Sequence, residues 1–261
     1  MRDSQSPVAI VTGAGSGIGK ATARLLGERG YRIVLVGRHK ATLQSTAETL
    51  DADALILPAD LGSPAQAREL PEQVANAWGR LDVLINNAGI APLMPIEAHS
   101  PAILEKLYRV NTLAPAILIA SAWPMLIEAA KTPAPANPTT TPTTGPTTGP
   151  TTNPTTSPVI VNISSMATTD PFPGFFGYAS SKAALNLMAR SCALEGKEHS
   201  IRAFAVAPGA VETPLLRSIL SPEQLPQSAC LAPEDVARVV LACVRGEHDT
   251  QNGETIVVPS P

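Results

Sequence analysis

Residues 8–19 read Val8-Ala9-Ile10-Val11-Thr12-Gly13-Ala14-Gly15-Ser16-Gly17-Ile18-Gly19, and the reading of the whole chain turns on them. Val8 to Val11 is a short, mostly β-branched apolar run, which suits a strand buried on both faces of a parallel sheet. A helix pattern follows the glycines, with Ala21, Leu25 and Leu26 on one side and Gly30 as its stop. Strand, glycine-rich turn and helix in that order are what a phosphate cradle requires. Glycines let the backbone turn tightly and come close to a pyrophosphate, and the free N–H groups of the new helix face the anion. A glycine-rich turn that holds no ligand is the plain alternative.

The chain continues in the same alternation. Arg32 to Val36 reads as a second strand, and Gly37-Arg38 follows about 20 residues past the glycines, where a carboxylate would bind the ribose 2′-hydroxyl of NAD. Gly37 brings no negative charge to repel a 2′-phosphate, and the planar fork of Arg38 suits one, so NADP(H) is favoured and NAD(H) remains open. Ala41 to Leu50 reads as a helix and Ala54 to Leu57 as a third strand, after which Asp60-Leu61 is placed to meet an adenine ring. Pro64 to Trp78 is helical. Leu81 to Ile85 is a fourth strand that ends in Asn86-Asn87-Ala88-Gly89. Asparagines there either tie neighbouring strands or border a cleft, and the tying role is favoured for Asn87.

Ser100 to about Ala130 is one long helical stretch with Pro115 and Pro124 inside it. Pro115 lacks the N–H that the carbonyl of Asn111 would take, so a kink is expected, with the Asn111 main-chain oxygen free to hold a water. Val159 to Ile163 is a fifth strand, followed by Ser164-Ser165. Phe172, Phe175 and Phe176 then precede Tyr178-Ala179-Ser180-Ser181-Lys182, which opens a helix running to Glu195. Tyr178 and Lys182, four apart, share one helix face. A phenol titrates near 10, and a fixed ammonium beside it is expected to lower that value and make it a proton donor or acceptor for an alcohol or carbonyl oxygen. Ile201 to Val206 is a sixth strand that ends in Pro208-Gly209-Ala210-Val211-Glu212-Thr213-Pro214. Leu215 to Leu231 is irregular and a candidate cover for a pocket; Pro233 to Arg245 is a last helix and Thr255 to Val258 a seventh strand.

Composition bounds the rest. The chain has 261 residues, 44% of them hydrophobic, and a formal net charge of −3, with basic residues scattered. Nothing in that balance calls for a nucleic-acid or anionic-membrane partner. Cys192, Cys230 and Cys243 form no metal or redox motif, so no metal is expected, and the sparse, odd set suits a reducing cytoplasm. The polar start fits no ordinary signal peptide, and no apolar run is expected to span a bilayer. From Thr139 to Pro158 the chain repeats Thr-Thr-x-Pro five times. Regular proline with little to bury reads as a disordered or polyproline-like insertion at about 132–158 within a single domain covering 1–261.

Taken in order, TGAGSGIG at 12–19, NNAG at 86–89, VN at 110–111, ISS at 163–165, YASSK at 178–182 and PGAVETP at 208–214 resemble the short-chain dehydrogenase/reductase family. Ser165 lies 13 residues before Tyr178, the family's usual spacing. The resemblance implies an α/β fold: a single Rossmann-like, doubly wound domain with a mainly parallel seven-stranded sheet and helices on both faces. It implies Tyr178 as general acid or base, Lys182 lowering its pKa and bonding the nicotinamide ribose, Ser165 on the substrate oxygen, and Asn111 ordering a relay water. Gly13, Gly17 and Gly19, with Thr12, Ser16 and Ile18, would cradle the pyrophosphate. Arg38, Asp60 and Leu61 would meet the adenosine, while Asn87, Ala88, Gly89, Pro208, Gly209, Val211 and Thr213 would line the cofactor. The implied activity is hydride transfer between NADP(H) and a small, largely apolar alcohol, ketone or aldehyde. A 3-oxoacyl-thioester reductase and a nucleotide-sensing scaffold are the alternatives. A homotetramer or homodimer through the long helices is implied as well.

Overall fold

The computed structural model describes residues 6–132, 134 and 157–261, so the Thr/Pro tract expected to be disordered lies outside the described residues. The elements alternate from the start: β1 (Val8–Thr12), α1 (Gly17–Glu28), β2 (Arg32–Gly37), α2 (Lys40–Ala47), β3 (Ala54–Pro58), α3 (Pro64–Trp78) and β4 (Val83–Asn86). Then come α4 (Pro101–Tyr108), α5 (Ala114–Lys131), β5 (Val159–Ile163), α6 (Phe176–Gly196), β6 (Arg202–Pro208), α7 (Pro214–Arg217), α8 (Pro233–Val244) and β7 (Thr255–Val258). The strands form one seven-stranded sheet in the order β3-β2-β1-β4-β5-β6-β7, and every pairing is parallel.

Successive residues along a strand point to opposite faces, and this is how one sheet serves two cores. Ala9 and Val11 of β1, with Ile33 and Leu35 of β2, join Leu26 of α1, Leu43 of α2 and Val240 of α8. Val8 and Ile10, with Val34 and Val36, join Leu70 of α3, Leu118 of α5 and Ala193 of α6 on the other face. The strand order reverses between β1 and β4, and the crevice at their C-terminal ends is where an open α/β sheet receives ligands.

Proline and glycine set several helix ends. Pro64 and Pro101 stand in the first turns of α3 and α4 behind the caps Ser63 and Ser100, and Gly79 at φ 72° ends α3. The break expected at Pro115 takes a different form. Arg109–Leu113 is a π turn between α4 and α5, in which the Ala114 N–H reaches back to Arg109 O. Pro115 therefore falls in the first turn of α5, where a missing N–H does little harm. The path Pro101–Lys131 is, by length and composition, apolar enough to cross a membrane, contrary to the expectation from the apolar runs. Leu118, Ala122 and Leu126 of this stretch are buried against the sheet, and 39% of its apolar window is buried in all.

Candidate active site

The turn after β1 is built by two glycines in the left-handed region, Gly13 at φ 66° and Gly17 at φ 51°. Ser16 caps α1 in extended conformation, and its exposed hydroxyl makes no cap hydrogen bond, so the helix N–H groups and that hydroxyl face the cleft together. A Cβ on Gly17 would stand 2.8 Å from Thr213 Cγ2, which brings the turn after β6 against the turn after β1.

Two residues expected at the cofactor stand back from it. Thr12 is buried: its hydroxyl donates to Ile85 O at 3.1 Å and accepts from the N–H of Asn87 at 2.9 Å and of Ala88 at 3.0 Å. It ties β1 to β4. A Cβ on Gly19 would lie 2.6 Å from Asn87 Nδ2 and closer still to Gly13 O, so Gly19 seats α1 on its own turn. The Asn87 side chain donates to Thr12 O at 2.8 Å, which is the tying role, while the residue also borders the cleft.

The other expected residues, Asn111 excepted, line one cleft of about 1400 Å³. Arg38, Asp60 and Leu61 stand at one end and Ser165, Tyr178 and Lys182 at the other, with Pro208, Gly209, Val211 and Thr213 between. The volume exceeds the roughly 300–1000 Å³ of a drug-sized ligand site, as a dinucleotide with a small substrate requires. Arg38 is exposed and forms no ion pair among the described residues.

At the far end the polar groups converge. Lys182 is 3% exposed, and its Nζ donates to Ile163 O at 2.7 Å. Burial lowers its pKa from 10.5 to about 8. Tyr178 differs from expectation. Burial pushes its phenol above 10, a hydrogen bond with the Ser165 side chain opposes that, and no lowering by Lys182 enters. Loss of hydration outweighs the lysine because the ammonium is committed to a carbonyl and is itself desolvated. The edge of the Phe175 ring packs 5.2 Å from the tyrosine ring, which keeps that wall apolar.

Asn111 is fully buried and its amide is fully used. Its Oδ1 accepts from Ile90 N, and its Nδ2 donates to Ile90 O and to Ser181 Oγ, each at 2.9 Å. Ser181 Oγ donates to Tyr178 O at 2.8 Å. The side chain is thus a strut between the loop after β4 and α6. A Cβ on Gly89 would press both Asn111 Oδ1 and Lys182 Nζ at 3.2 Å. Ser181, inside the tyrosine-lysine motif, carried no sequence signal of its own. Nor did Ser260, whose Oγ accepts from Ala210 N at 2.7 Å and holds the turn after β6.

This arrangement can bind a dinucleotide along the sheet's C-terminal edge and present a proton beside it. The short chain dehydrogenase family model matches residues 7–132 and 154–224. The chain belongs to the short-chain dehydrogenase/reductase family. Members of this family are oxidoreductases that use NAD(P)H. The interval the family match leaves out lies within the Thr/Pro tract. A Streptomyces violaceoruber protein of granaticin polyketide synthase, named as its ketoacyl reductase 2, is 31% identical over 97% of this chain and 95% of its own. Versicolorin reductase of Emericella nidulans is 28% identical over 88% of this chain and 78% of its own. Among solved structures, 3-ketoacyl-(acyl-carrier-protein) reductase from Brucella melitensis, complexed with NADH, superposes with a TM-score of 0.81 at 25% identity over 98% of both chains.

Proposed function

We propose that this oxidoreductase is an NADP(H)-dependent reductase of an uncharged, largely apolar ketone, with Tyr178 as its proton donor. The observation that carries the reading is the meeting of Ser165, Tyr178 and Lys182 at the end of a cleft whose other end holds the glycine turn and Arg38. When bound, the nicotinamide supplies the hydride. Ser165 donates a hydrogen bond to the carbonyl oxygen, and Tyr178 delivers the proton that turns that oxygen into a hydroxyl. The raised pKa of Tyr178 favours this direction, because the phenol keeps its proton at neutral pH. Lys182 supports the tyrosine as a charge and as a ribose donor. Asn111 fixes the loop after β4, and its main-chain oxygen holds a relay water. Arg38 stands where β2 ends in Gly37 without a carboxylate, which supports the 2′-phosphate of NADP(H) over the 2′-hydroxyl of NAD(H).

A second reading is a 3-oxoacyl-thioester reductase, favoured by the names of the Streptomyces and Brucella relatives. Arg202 and Arg217 are both engaged in internal ion pairs, whereas Lys106 and Arg109 line the cleft and are the basic groups such a substrate would meet. In either reading Leu187 and Leu194 of α6, 65% and 70% exposed, are apolar surface that a second copy of the chain would cover. A homodimer or homotetramer in the cytoplasm is part of this proposal.

The test is a fluorescence titration of the purified chain with NADPH and with NADH at fixed ionic strength, followed by turnover of aromatic, aliphatic and 3-oxoacyl-thioester ketones. Tighter binding of NADPH, lost in Arg38→Ala, and turnover of the free ketones support the proposal. Equal affinity for both nucleotides overturns the NADP assignment, and turnover confined to the thioester moves the second reading to first.

A further inference from the structure

Residues 212–231 cross the open side of the cleft and form much of its apolar wall, with Leu215, Ile219 and Leu225 among the lining side chains. The segment is closed at its base by backbone pairing. Glu212 N donates to Leu231 O and Leu231 N to Ala210 O, each at 2.9 Å, and Val211 bridges Leu231. Its middle is a chain of short turns, α7 and a 3-10 turn at Gln227–Ala229 among them, whose backbone hydrogen bonds are local and leave the turns to be tied to one another by something else.

One side chain ties the turns together. Arg217 has five N–H donors in a rigid fork, and all five have acceptors within this segment. Nε donates to Glu212 Oε1 at 2.8 Å, and Nη2 donates to Glu212 Oε2. Nη1 donates to Leu225 O at 2.8 Å and to Leu220 O at 3.4 Å, while Nη2 also reaches Cys230 Sγ at 3.8 Å. The guanidinium thus joins the beginning, middle and end of the segment, and its hydrogen bond holds the Glu212 carboxyl below the usual carboxylate range. Two residues on, Ile219 packs against the cluster of Ala91, Ala167, Phe175 and Ala179, on which Tyr178 also packs.

We infer that Arg217 is a positioning residue: its fork clamps residues 212–231 in a preset form that holds Ile219 against the Phe175 cluster on which Tyr178 also packs, and shapes the ketone pocket before substrate arrives. This rests on the proposed reductase reading for its kinetic consequence, but not for the clamp itself. A saturated guanidinium has no donor left for a substrate anion, so Arg217 acts by shape and not by binding charge.

The experiment pairs hydrogen exchange of the amides in residues 213–231 with steady-state kinetics, in the full chain and in Arg217→Ala, Arg217→Lys and Glu212→Gln. Expected is exchange about tenfold faster or more in Arg217→Ala, with ketone KM raised about 10- to 100-fold, the scale of losing charge-assisted hydrogen bonds. Turnover number and NADPH affinity should stay within about threefold, since a preset wall acts on uniform substrate binding. Lysine should not rescue, because one ammonium cannot span Glu212 and two carbonyls. Unchanged exchange in Arg217→Ala, or full rescue by lysine, refutes the clamp whatever the kinetics show. Faster exchange with ketone KM unmoved refutes its role in the pocket. If no carbonyl is reduced even by the unaltered chain, the reductase reading has failed, and exchange alone still decides the clamp.

Discussion

Replacing Lys182 by methionine should make the protein's stability lose part of its dependence on alkaline pH. In the folded chain burial lowers the lysine pKa from 10.5 to about 8. Below about 8 the lysine is charged in both states, and the folded state carries the full penalty of burying the charge. As pH rises through that value the folded chain releases the proton while the unfolded chain keeps it. Stability rises wherever the unfolded state binds more protons, so this group adds stability between about 8 and 10.5 and none outside that window. The displacement is worth roughly 3 kcal/mol, with no discount for solvent because the side chain is 3% exposed. Methionine also leaves Ile163 O without its partner, which costs about 1–3 kcal/mol at every pH. The difference at neutral pH therefore mixes two opposing effects, and the change with pH isolates one. Urea unfolding of both proteins from about pH 7 to about pH 10.5 should show the wild type gaining roughly 3 kcal/mol relative to the variant. Tyr31 and Cys243, raised by burial to about 12, and Cys192, raised to about 11, are common to both proteins and cancel. A difference that stays flat across the window would refute the claim that Lys182 is buried at the cost of its charge.

Tyr178→Phe should lower the turnover number by about 10²- to 10⁴-fold, the usual worth of a positioned acid, while NADPH affinity measured by fluorescence stays within about twofold. Retained turnover would remove Tyr178 from the chemistry. Gly19→Ala places a Cβ 2.6 Å from Asn87 Nδ2 and nearer still to Gly13 O, so α1 must move off its turn. Calorimetry should show a loss of about 1–3 kcal/mol in stability, together with nucleotide affinity weakened at least about tenfold. Unaltered nucleotide binding would mean that the turn tolerates the shift. Arg202 is 7% exposed and donates to Cys243 O at 2.7 Å, to Val244 O at 2.9 Å and to Asp249 Oδ1 at 2.7 Å, closing the C-terminal end of α8. Arg202→Met should cost about 3 kcal/mol or more in urea unfolding, and Asp249→Asn clearly less because Asp249 is partly solvated. Equal losses would contradict the capping role.

The strands were legible because a parallel sheet covered on both faces needs uninterrupted apolar, β-branched runs. Val159–Ile163 and Thr255–Val258 have the bounds their sequence implies, and Pro64, Pro101 and Pro233 mark helix starts. Motif spacing brought Ser165, Tyr178 and Lys182 to one place, but it does not say which way a side chain points. Thr12 and Gly19 are in the glycine motif yet face β4 and Gly13 rather than the cleft. Pro115 announces a broken helix, but the five-residue reach of the π turn depends on how α4 and α5 pack against α6. The Arg217 fork was hidden for another reason. Its partners are Glu212, Leu220 and Leu225, and three of its contacts are to backbone oxygens or to a thiol, which leave no trace in side-chain pattern.

The Tyr178 pKa marks the same limit in energetic terms. Spacing four residues apart on a helix predicts that the ammonium lies on the tyrosine's side, and from that a lowered phenol follows. The sign, however, belongs to a contest between charge and dehydration, and dehydration depends on depth. Tyr178 packs on the apolar cluster of Ala167 and Phe175, while Ile163 O occupies the lysine, so each group is moved towards its neutral form: the phenol up, the ammonium down to about 8. Two opposite shifts from one cause make a site whose tyrosine holds its proton over the pH range in which the lysine is losing its charge. Methionine in that place would avoid the cost of the buried charge but would leave Ile163 O without its partner. A buried ammonium beside a phenol, in the cleft at the sheet's switch point, is the pattern that makes this pair the candidate for the proposed proton transfer.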